Sequence, residues 1–307
     1  MEKPTIFVTG GSGFIGRNIV EYFQDGATIL APTHKELDLF SREDVGEFFK
    51  NNEVDFVINC ANVGGDRKSC GVTDVVEKNL RIFFNLYDHN IYFKRMIHFG
   101  SGAEYDKSRA LHQVYEGDTW LHTPKDSYGF SKYIISGTIN DEYDDVVCLR
   151  LFGVFGKYED YTFKFISNSI VKYLLGLPIH IHQNVLFDWL YVRDLVEILP
   201  DFLYSPRLTS STYNITPGSP LDLLSIAELI NTPQKVEIVV ENPGLGNEYT
   251  GSNSRLTKFR KHTYFTPMQR AILELKDYYQ SILPTIDPEV IKRDDLRKYC
   301  QVKAGEP

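Results

Sequence analysis

The sequence predicts an α/β protein: a doubly wound parallel sheet with helices on both faces, carrying a smaller, mostly C-terminal α/β lobe. Three observations predict it. Short β-branched or aromatic runs alternate with helix-like stretches through the first half of the chain, as expected of βαβ units whose strands are buried on both faces. The first run enters its helix through a turn dense in glycine. After about residue 155 the alternation weakens and Gly, Pro and aromatic residues become more frequent, which marks a second lobe.

Thr5 to Thr9 reads as a buried strand, and Phe14 to Phe23 follows with helical periodicity. Ala27 to Ala31 is the second strand, with Arg42 to Lys50 as its helix. Asp55 to Asn59 is the third strand, Val75 to Asp88 a long helix, and Arg95 to Phe99 the fourth strand. Ser127 to Asn140 is a further helix leading to a fifth strand, Val146 to Leu151. Right-handed crossovers wind such units into a Rossmann-type sheet. Residues 1–155 are expected to form this domain, with segments near 185–220 returning to it. Residues 156–290 make up most of the second lobe, and 291–307 a charged C-terminal tail.

A chain of 307 residues with 42% hydrophobic and 24% charged residues has enough apolar material for a large core. A formal net charge of −8 disfavours a broad nucleic-acid or anionic-lipid surface. No apolar run is long enough to span a bilayer, and the N-terminus lacks a signal-peptide pattern. Cys60, Cys70, Cys148 and Cys300 form no CxxC pair, and the eight histidines show no zinc-ligand spacing. His180-Ile-His182 fits a strand with one wet face, so no metal is expected, and a reducing cytoplasm is the simplest location.

In Thr9-Gly-Gly-Ser-Gly-Phe-Ile-Gly16, the residues Gly10, Gly13 and Gly16 recur at three-residue intervals where a strand becomes a helix. Glycine there permits the tight turn, lets backbone approach a pyrophosphate and lets helix pack on sheet. The free N–H groups of the helix start then face the phosphates. This predicts a dinucleotide. The second strand ends in Pro32-Thr33-His34-Lys35, without the acid that would accept from an adenosine 2′-hydroxyl. His34 and Lys35 are placed to meet a 2′-phosphate, which favours NADPH over NADH. The alternative is that both are solvent-facing loop residues.

Tyr128 and Lys132 are four apart and share one helix face. A free phenol has a pKa of about 10, and an ammonium one turn away is expected to lower it. Ser101 follows the fourth strand at the carboxyl edge of the sheet, where ligands bind. Ser101, Tyr128 and Lys132 are therefore the expected catalytic trio, with the serine and tyrosine hydroxyls holding one substrate oxygen.

With these residues the chain resembles the extended short-chain dehydrogenase/reductase family, in its sugar-nucleotide epimerase, dehydratase and reductase branch. Further landmarks are Phe187-Asp-Trp-Leu-Tyr-Val-Arg-Asp194 and Asn214-Ile-Thr-Pro-Gly218. Lys35-Glu-Leu-Asp-Leu39 and Asn59-Cys-Ala-Asn-Val-Gly-Gly65 look most like GDP-fucose synthases and related 4-keto-sugar reductases. The resemblance implies that Phe14, Ile15, Asp38, Leu39, Ala61, Asn79, Leu151 and Val154 join the glycines, His34 and Lys35 around the cofactor. It also implies a nucleotide-diphosphate sugar substrate and a homodimer through the long helix and the Tyr128–Lys132 helix, with Leu80, Phe83, Phe84 and Tyr87 as candidate contacts. Ordinary packing against the sheet is the other reading of those four.

Departures from the family pattern sort the reaction. Dehydratases of this branch carry an Asp-Glu pair immediately after the serine or threonine; here those positions are Gly102 and Ala103, with Glu104 beyond them and pointing elsewhere. GDP-fucose synthases place a cysteine at the Ala103 position and a histidine where Lys164 aligns. Dehydration and C3/C5 epimerisation are thus not expected, which leaves reduction of a C4 ketone on a 4-keto-6-deoxy sugar, GDP-linked by the resemblance. Gly153 and Phe187 replace an asparagine and an arginine that often touch the sugar nucleotide. Lys164, Lys172 and Arg255 are candidates to supply charge to the diphosphate, with solvated surface as the equal alternative. A 4-epimerase with tightly held NAD and a non-catalytic dinucleotide sensor are the competing functions.

Overall fold

A computed structural model describes residues 3–65, 72–142, 145–261 and 263–301. Cys70 and the last six residues of the tail lie outside the described residues. The first half contains β1 (Thr5–Thr9), α1 (Phe14–Phe23), β2 (Thr28–Leu30), α2 (Arg42–Asn51), β3 (Phe56–Asn59) and α3 (Val75–Tyr87). It continues through β4 (Arg95–Ser101), β5 (Leu111–Val114), α4 (Ser127–Glu142) and β6 (Val146–Leu151). The second half adds β7 (Gly153–Phe155), α5 (Phe165–Leu175), β8 (Ile179–Asn184), β9 (Leu186–Phe187), β10 (Trp189–Tyr191) and α6 (Val192–Tyr204). There follow β11 (Thr212–Ile215), β12 (Leu221–Asp222), α7 (Leu223–Ile230), β13 (Ile238–Leu245), β14 (Tyr249–Gly251) and α8 (Ser254–Phe259). The chain closes with α9 (Met268–Ile282), α10 (Pro288–Lys292) and α11 (Asp295–Gln301), so much of the charged tail is helical.

The central sheet has the order β11-β6-β4-β3-β1-β2, and every pairing in it is parallel. Both faces are buried, which is why its strands read as continuous apolar runs. Along β1, Ile6 and Val8 enter one core with Phe99, Leu149, Leu195 and Phe202, while Phe7 enters the other with Val45, Phe49, Phe83 and Ile135. Helices α1 and α6 cover the first face, and α2, α3 and α4 the second. The doubly wound sheet predicted from the sequence is thus present.

Strand order reverses between β1 and β3, since β2 lies to one side of β1 and the later strands to the other. The carboxyl end of such a switch point is where open α/β sheets bind ligands. Beneath it, Thr9 Oγ1 donates to Asn59 Oδ1 at 2.7 Å and accepts from the Ala61 N–H at 3.1 Å. The Asn59 amide meets His98 Nδ1 at 3.1 Å, so one buried polar chain ties the ends of β1, β3 and β4 together.

The second lobe has its own core of Ile166, Ile170, Ile181, Ile226, Leu275 and Tyr279 among others. In β8 the buried Ile179 and Ile181 alternate with half-exposed His180 and His182. A four-stranded sheet, β12-β9-β14-β5, closes the lobe near the ends of the central strands. Here β5 departs from the expected division: it falls within residues 1–155 but pairs with β14, not with the central sheet. Its four residues carry apolar side chains only at the two ends, Leu111 and Val114, too little alternation to announce a strand. Among the described residues, no helix is long and apolar enough to cross a membrane.

Candidate active site

The glycine turn joins β1 to α1 at the switch point. Gly10 adopts φ +62, and a Cβ there would meet Ala61 backbone at 3.1 Å. A Cβ on Gly16 would lie 2.2 Å from Gly10 O, so only glycine lets α1 sit this close to the turn. Gly13 N–H donates to Gly10 O at 2.9 Å, and Gly13 caps α1 without any side-chain hydrogen bond to the helix start. Unlike α2, where the Ser41 hydroxyl accepts from the Asp44 N–H, α1 has first-turn N–H groups with no capping side chain. Phe14 packs toward the second-lobe core and Ile15 toward the sheet core, which seats this helix start between the two lobes.

His34 and Lys35 stand exposed beyond β2, while Glu36 accepts from the Thr33 N–H and hydroxyl. The first acid after the strand is thereby occupied within its own turn. Asp38 is exposed and accepts from Phe40 N–H, and Leu39 O receives the Asn85 amide. Asn79 is buried and its amide is spent on Val63 N, Val63 O and Ser131 Oγ. It therefore shapes the loop after β3 and presents no free donor. Leu151 ends β6 beside Ser101, and Val154 lies in β7 between the two cores.

Ser101 is the last residue of β4, and a 3-10 turn over Gly102–Tyr105 follows. Its Oγ accepts from Ala103 N–H at 3.1 Å, and its own N–H donates to Glu104 Oε1 at 2.8 Å. The other Glu104 oxygen takes Arg150 Nε at 2.6 Å, and both residues are buried. Glu104 therefore holds Ser101 in place from behind. Tyr128 and Lys132 lie on the same face of α4, and the Ser101 hydroxyl is among the groups that oppose a rise in the Tyr128 phenol pKa. The loop after β3 lies against this ring: a Cβ on Gly65 would come within 2.9 Å of it.

The expected effect of Lys132 on Tyr128 is corrected by this geometry. Lys132 Nζ donates to Phe99 O at 2.8 Å and stands 5.9 Å from the centre of the Tyr128 ring. Burial pushes the phenol up to about 12, with Glu104 and Asp126 adding to the rise. Burial also brings the Lys132 ammonium down to about 8. Tyr128 thus holds its proton at neutral pH.

The substrate side differs from expectation more sharply. Lys172 is buried in α5 and bound to Asp294 at 2.6 Å, so it is not free to meet a diphosphate. Arg255 donates to Ser210 Oγ and Thr212 O, both at 2.8 Å, and lies 3.7 Å from the buried Glu116. It braces β11 and is likewise committed. Lys164, half-exposed at the start of α5, retains its place as a candidate. A Cβ on Gly153 would press within 2.7 Å of Asp188 O, which leaves no room for the asparagine found in relatives. Phe187 stacks on Trp189 at 5.3 Å and packs on Tyr249 at 5.2 Å. Tyr249 and Phe152, which sequence reasoning missed, complete this aromatic wall with ring centres 5.3 Å apart. Both approach Gly102: a Cβ there would meet Tyr249 Oη at 2.6 Å and Phe152 Cδ1 at 2.7 Å.

Residues 6–216 match the NAD dependent epimerase/dehydratase family. The chain belongs to that family. It is accordingly an NAD(P)-dependent enzyme, and the glycine turn with its uncapped helix start fits the dinucleotide such enzymes bind. The GDP-L-colitose synthase of Yersinia pseudotuberculosis is 22% identical over 69% of this chain and 76% of its own length. The ADP-L-glycero-D-manno-heptose-6-epimerase of Brachyspira hyodysenteriae is 24% identical over 89% of this chain and 96% of its own. Among solved structures, the GDP-mannoheptose C4 reductase from Campylobacter jejuni with NADP bound superposes with a TM-score of 0.78 at 17% identity. That match covers 91% of this chain and 99% of the reductase.

Proposed function

We propose that this family member is an NADPH-dependent sugar-nucleotide 4-ketoreductase. Its substrate is the C4 ketone of a nucleotide-linked 4-keto-6-deoxy sugar, GDP-linked by preference, and it leaves C3 and C5 unchanged. The observation that carries the reading is the pair Gly102 and Ala103 beside Ser101. Neither bears an acid or base, and the space a side chain on residue 102 would need is filled by Tyr249 and Phe152. Relatives named for GDP-sugar synthesis and C4 reduction support the substrate class. His34 and Lys35, with Glu36 turned back onto Thr33, favour a cofactor carrying a 2′-phosphate.

The cofactor, when bound at the glycine turn, supplies the hydride that forms the new C–H bond at C4. Ser101 donates a hydrogen bond to the ketone oxygen and stabilises its developing negative charge. Tyr128, kept protonated by burial, transfers its proton to that oxygen and completes the alcohol. Lys132, one turn further along α4, would hold the nicotinamide ribose and offset the charge of the phenolate left behind. The outer faces of α3 and α4 form the homodimer contact in this reading.

The test is NADPH oxidation against a panel of nucleotide-linked 4-keto-6-deoxy sugars, with product stereochemistry at C3, C4 and C5. Tyr128→Phe is expected to abolish turnover while NADPH still binds, and NADH should support less activity. Substantial turnover by Tyr128→Phe, or activity without added cofactor from tightly held NAD, would overturn the reading.

A further inference from the structure

We propose that Arg150 is a positioning residue that aligns Ser101 with the Tyr128–Lys132 helix, one buried guanidinium holding both sides of the trio. The proposal rests on the ketoreductase reading and concerns a side chain behind the trio, not one that meets the ketone. In that reading two side chains on separate elements share a single substrate oxygen. Ser101 ends β4, and Tyr128 lies in the first turn of α4. Their alignment is set by whatever joins the strand end to the helix.

Arg150 makes that junction. It stands in β6, in register with Gly100, the residue before Ser101. Toward the serine, its Nε donates to Glu104 Oε2 at 2.6 Å, and Glu104 Oε1 accepts from the Ser101 N–H at 2.8 Å. Toward the helix, its Nη2 donates to Ser136 Oγ at 2.6 Å. Tyr128, Lys132 and Ser136 follow one another at four-residue steps and so share one face of α4. The remaining nitrogen, Nη1, donates to the Tyr105 hydroxyl and to Glu116 O, both at 3.0 Å, which fixes the plane of the group. A guanidinium is a flat fork of fixed N–H directions, so the tethers made by Nε and Nη2 cannot vary independently.

Close backbone packing leaves this junction little slack. A Cβ on Gly100 would collide with Glu104 Oε1 and lie 3.1 Å from Arg150 Cγ, so the ion pair fits beneath the strand end only where residue 100 has no side chain. A Cβ on Gly129 would lie 2.6 Å from Ala103 O, so the start of α4 rests directly on the turn after Ser101. Backbone contact thus sets the approach at the Tyr128 end, and the Arg150–Ser136 hydrogen bond sets it about two turns further on. Arg150 and Ser136 are both buried, so bulk water does not compete for that bond.

Ser136→Ala removes one oxygen on the helix side and leaves Glu104, Ser101 and Tyr128 unaltered. A full ångström of misplacement costs about a hundredfold in rate, so a helix displaced by about half of that should lower kcat for ketone reduction about tenfold. KM for the sugar nucleotide and the Kd of NADPH should change little, as expected when only the reacting geometry is disturbed. A cooperative thermal melt reports that the fold is retained. Arg150→Lys keeps a positive charge for Glu104 but lacks the fork, and should lower kcat at least as far. Adding Ser136→Ala to Arg150→Lys should then cost nothing further. Adding it to Ser101→Ala should cost little, because the tether acts through the alignment with that serine. Wild-type kcat in a folded Ser136→Ala, or losses that multiply in either double variant, would overturn the inference and leave the ketoreductase reading intact. Wild-type protein that reduces no ketone in the panel would overturn the reading, and the inference with it.

Discussion

Arg150 is 1% exposed, and its guanidinium reaches four groups: Glu104, the Tyr105 hydroxyl, Glu116 O and Ser136 Oγ. Through Glu104 the network fixes the backbone of Ser101, so a structural ion pair sits directly behind the serine proposed to meet the ketone. A buried pair need add little stability of its own, but removing one partner strands a charge and costs about 3–5 kcal/mol. Arg150→Met is therefore expected to lower the unfolding free energy by about that amount. Chemical denaturation would measure it, and a midpoint equal to the wild type would refute this account of Glu104. The proposed trio can be read at this scale because Ser101, Tyr128 and Lys132 occupy short local contexts: a strand end and one helix face. Tyr249 and Phe152 were not, because nothing local distinguishes them; their meaning comes from strands that meet only in the folded chain. Lys172 and Arg255, which the sequence leaves open between diphosphate contacts and solvated surface, show a second limit. A basic side chain read as free in one dimension finds an acid across the fold.

At the scale of elements, the βαβ repeat carried most of the information, because strands buried on both faces leave uninterrupted apolar runs. The short strands β5, β7 and β9 left no such trace, since two to four residues cannot establish a period. Helix α4 is a separate case, being apolar on more than one side. Ile135 and Ile139 are buried, while Phe130, Tyr133 and Ile134 remain half-exposed. Trp120, 45% exposed, packs edge-on against Tyr133 at 5.0 Å, and Leu121 beside it is 67% exposed. On α3 the expected dimer contacts divide: Phe83 is buried against His98, whereas Leu80, Phe84 and Tyr87 are half-buried. An outer surface of this kind is suited to a partner. Ile134→Glu, which puts a charge on that face, should convert a dimer of the wild-type chain into a monomer with its fold retained. Light scattering reads the mass, and a wild-type monomer or a dimeric variant would place any contact elsewhere.

For the molecule as a whole, stability against pH is set in part by a carboxyl remote from the trio. Glu159, in the loop after β7, is 6% exposed and accepts a hydrogen bond from Ser167 of α5. Burial raises its pKa from 4.5 to about 7, and Asp160 adds to the rise; Ser167 and Lys164 oppose it. The native chain therefore binds a proton that the unfolded chain has released between pH 4.5 and about 7. Stability from this group is fully present below the lower value, declines as pH rises through the window and is lost above the upper one. That sign is opposite to that of Asp222 and Glu274, whose carboxyls are held low by hydrogen bonds and lose their contribution as pH falls. Glu159→Gln keeps the shape and a partner for Ser167 but cannot ionise. It should match the wild type near pH 4 and become progressively more stable up to about pH 8, by at most about 3 kcal/mol. Denaturation midpoints across that range measure the difference. Parallel curves for the two proteins would mean that Glu159 does not change its protonation on folding.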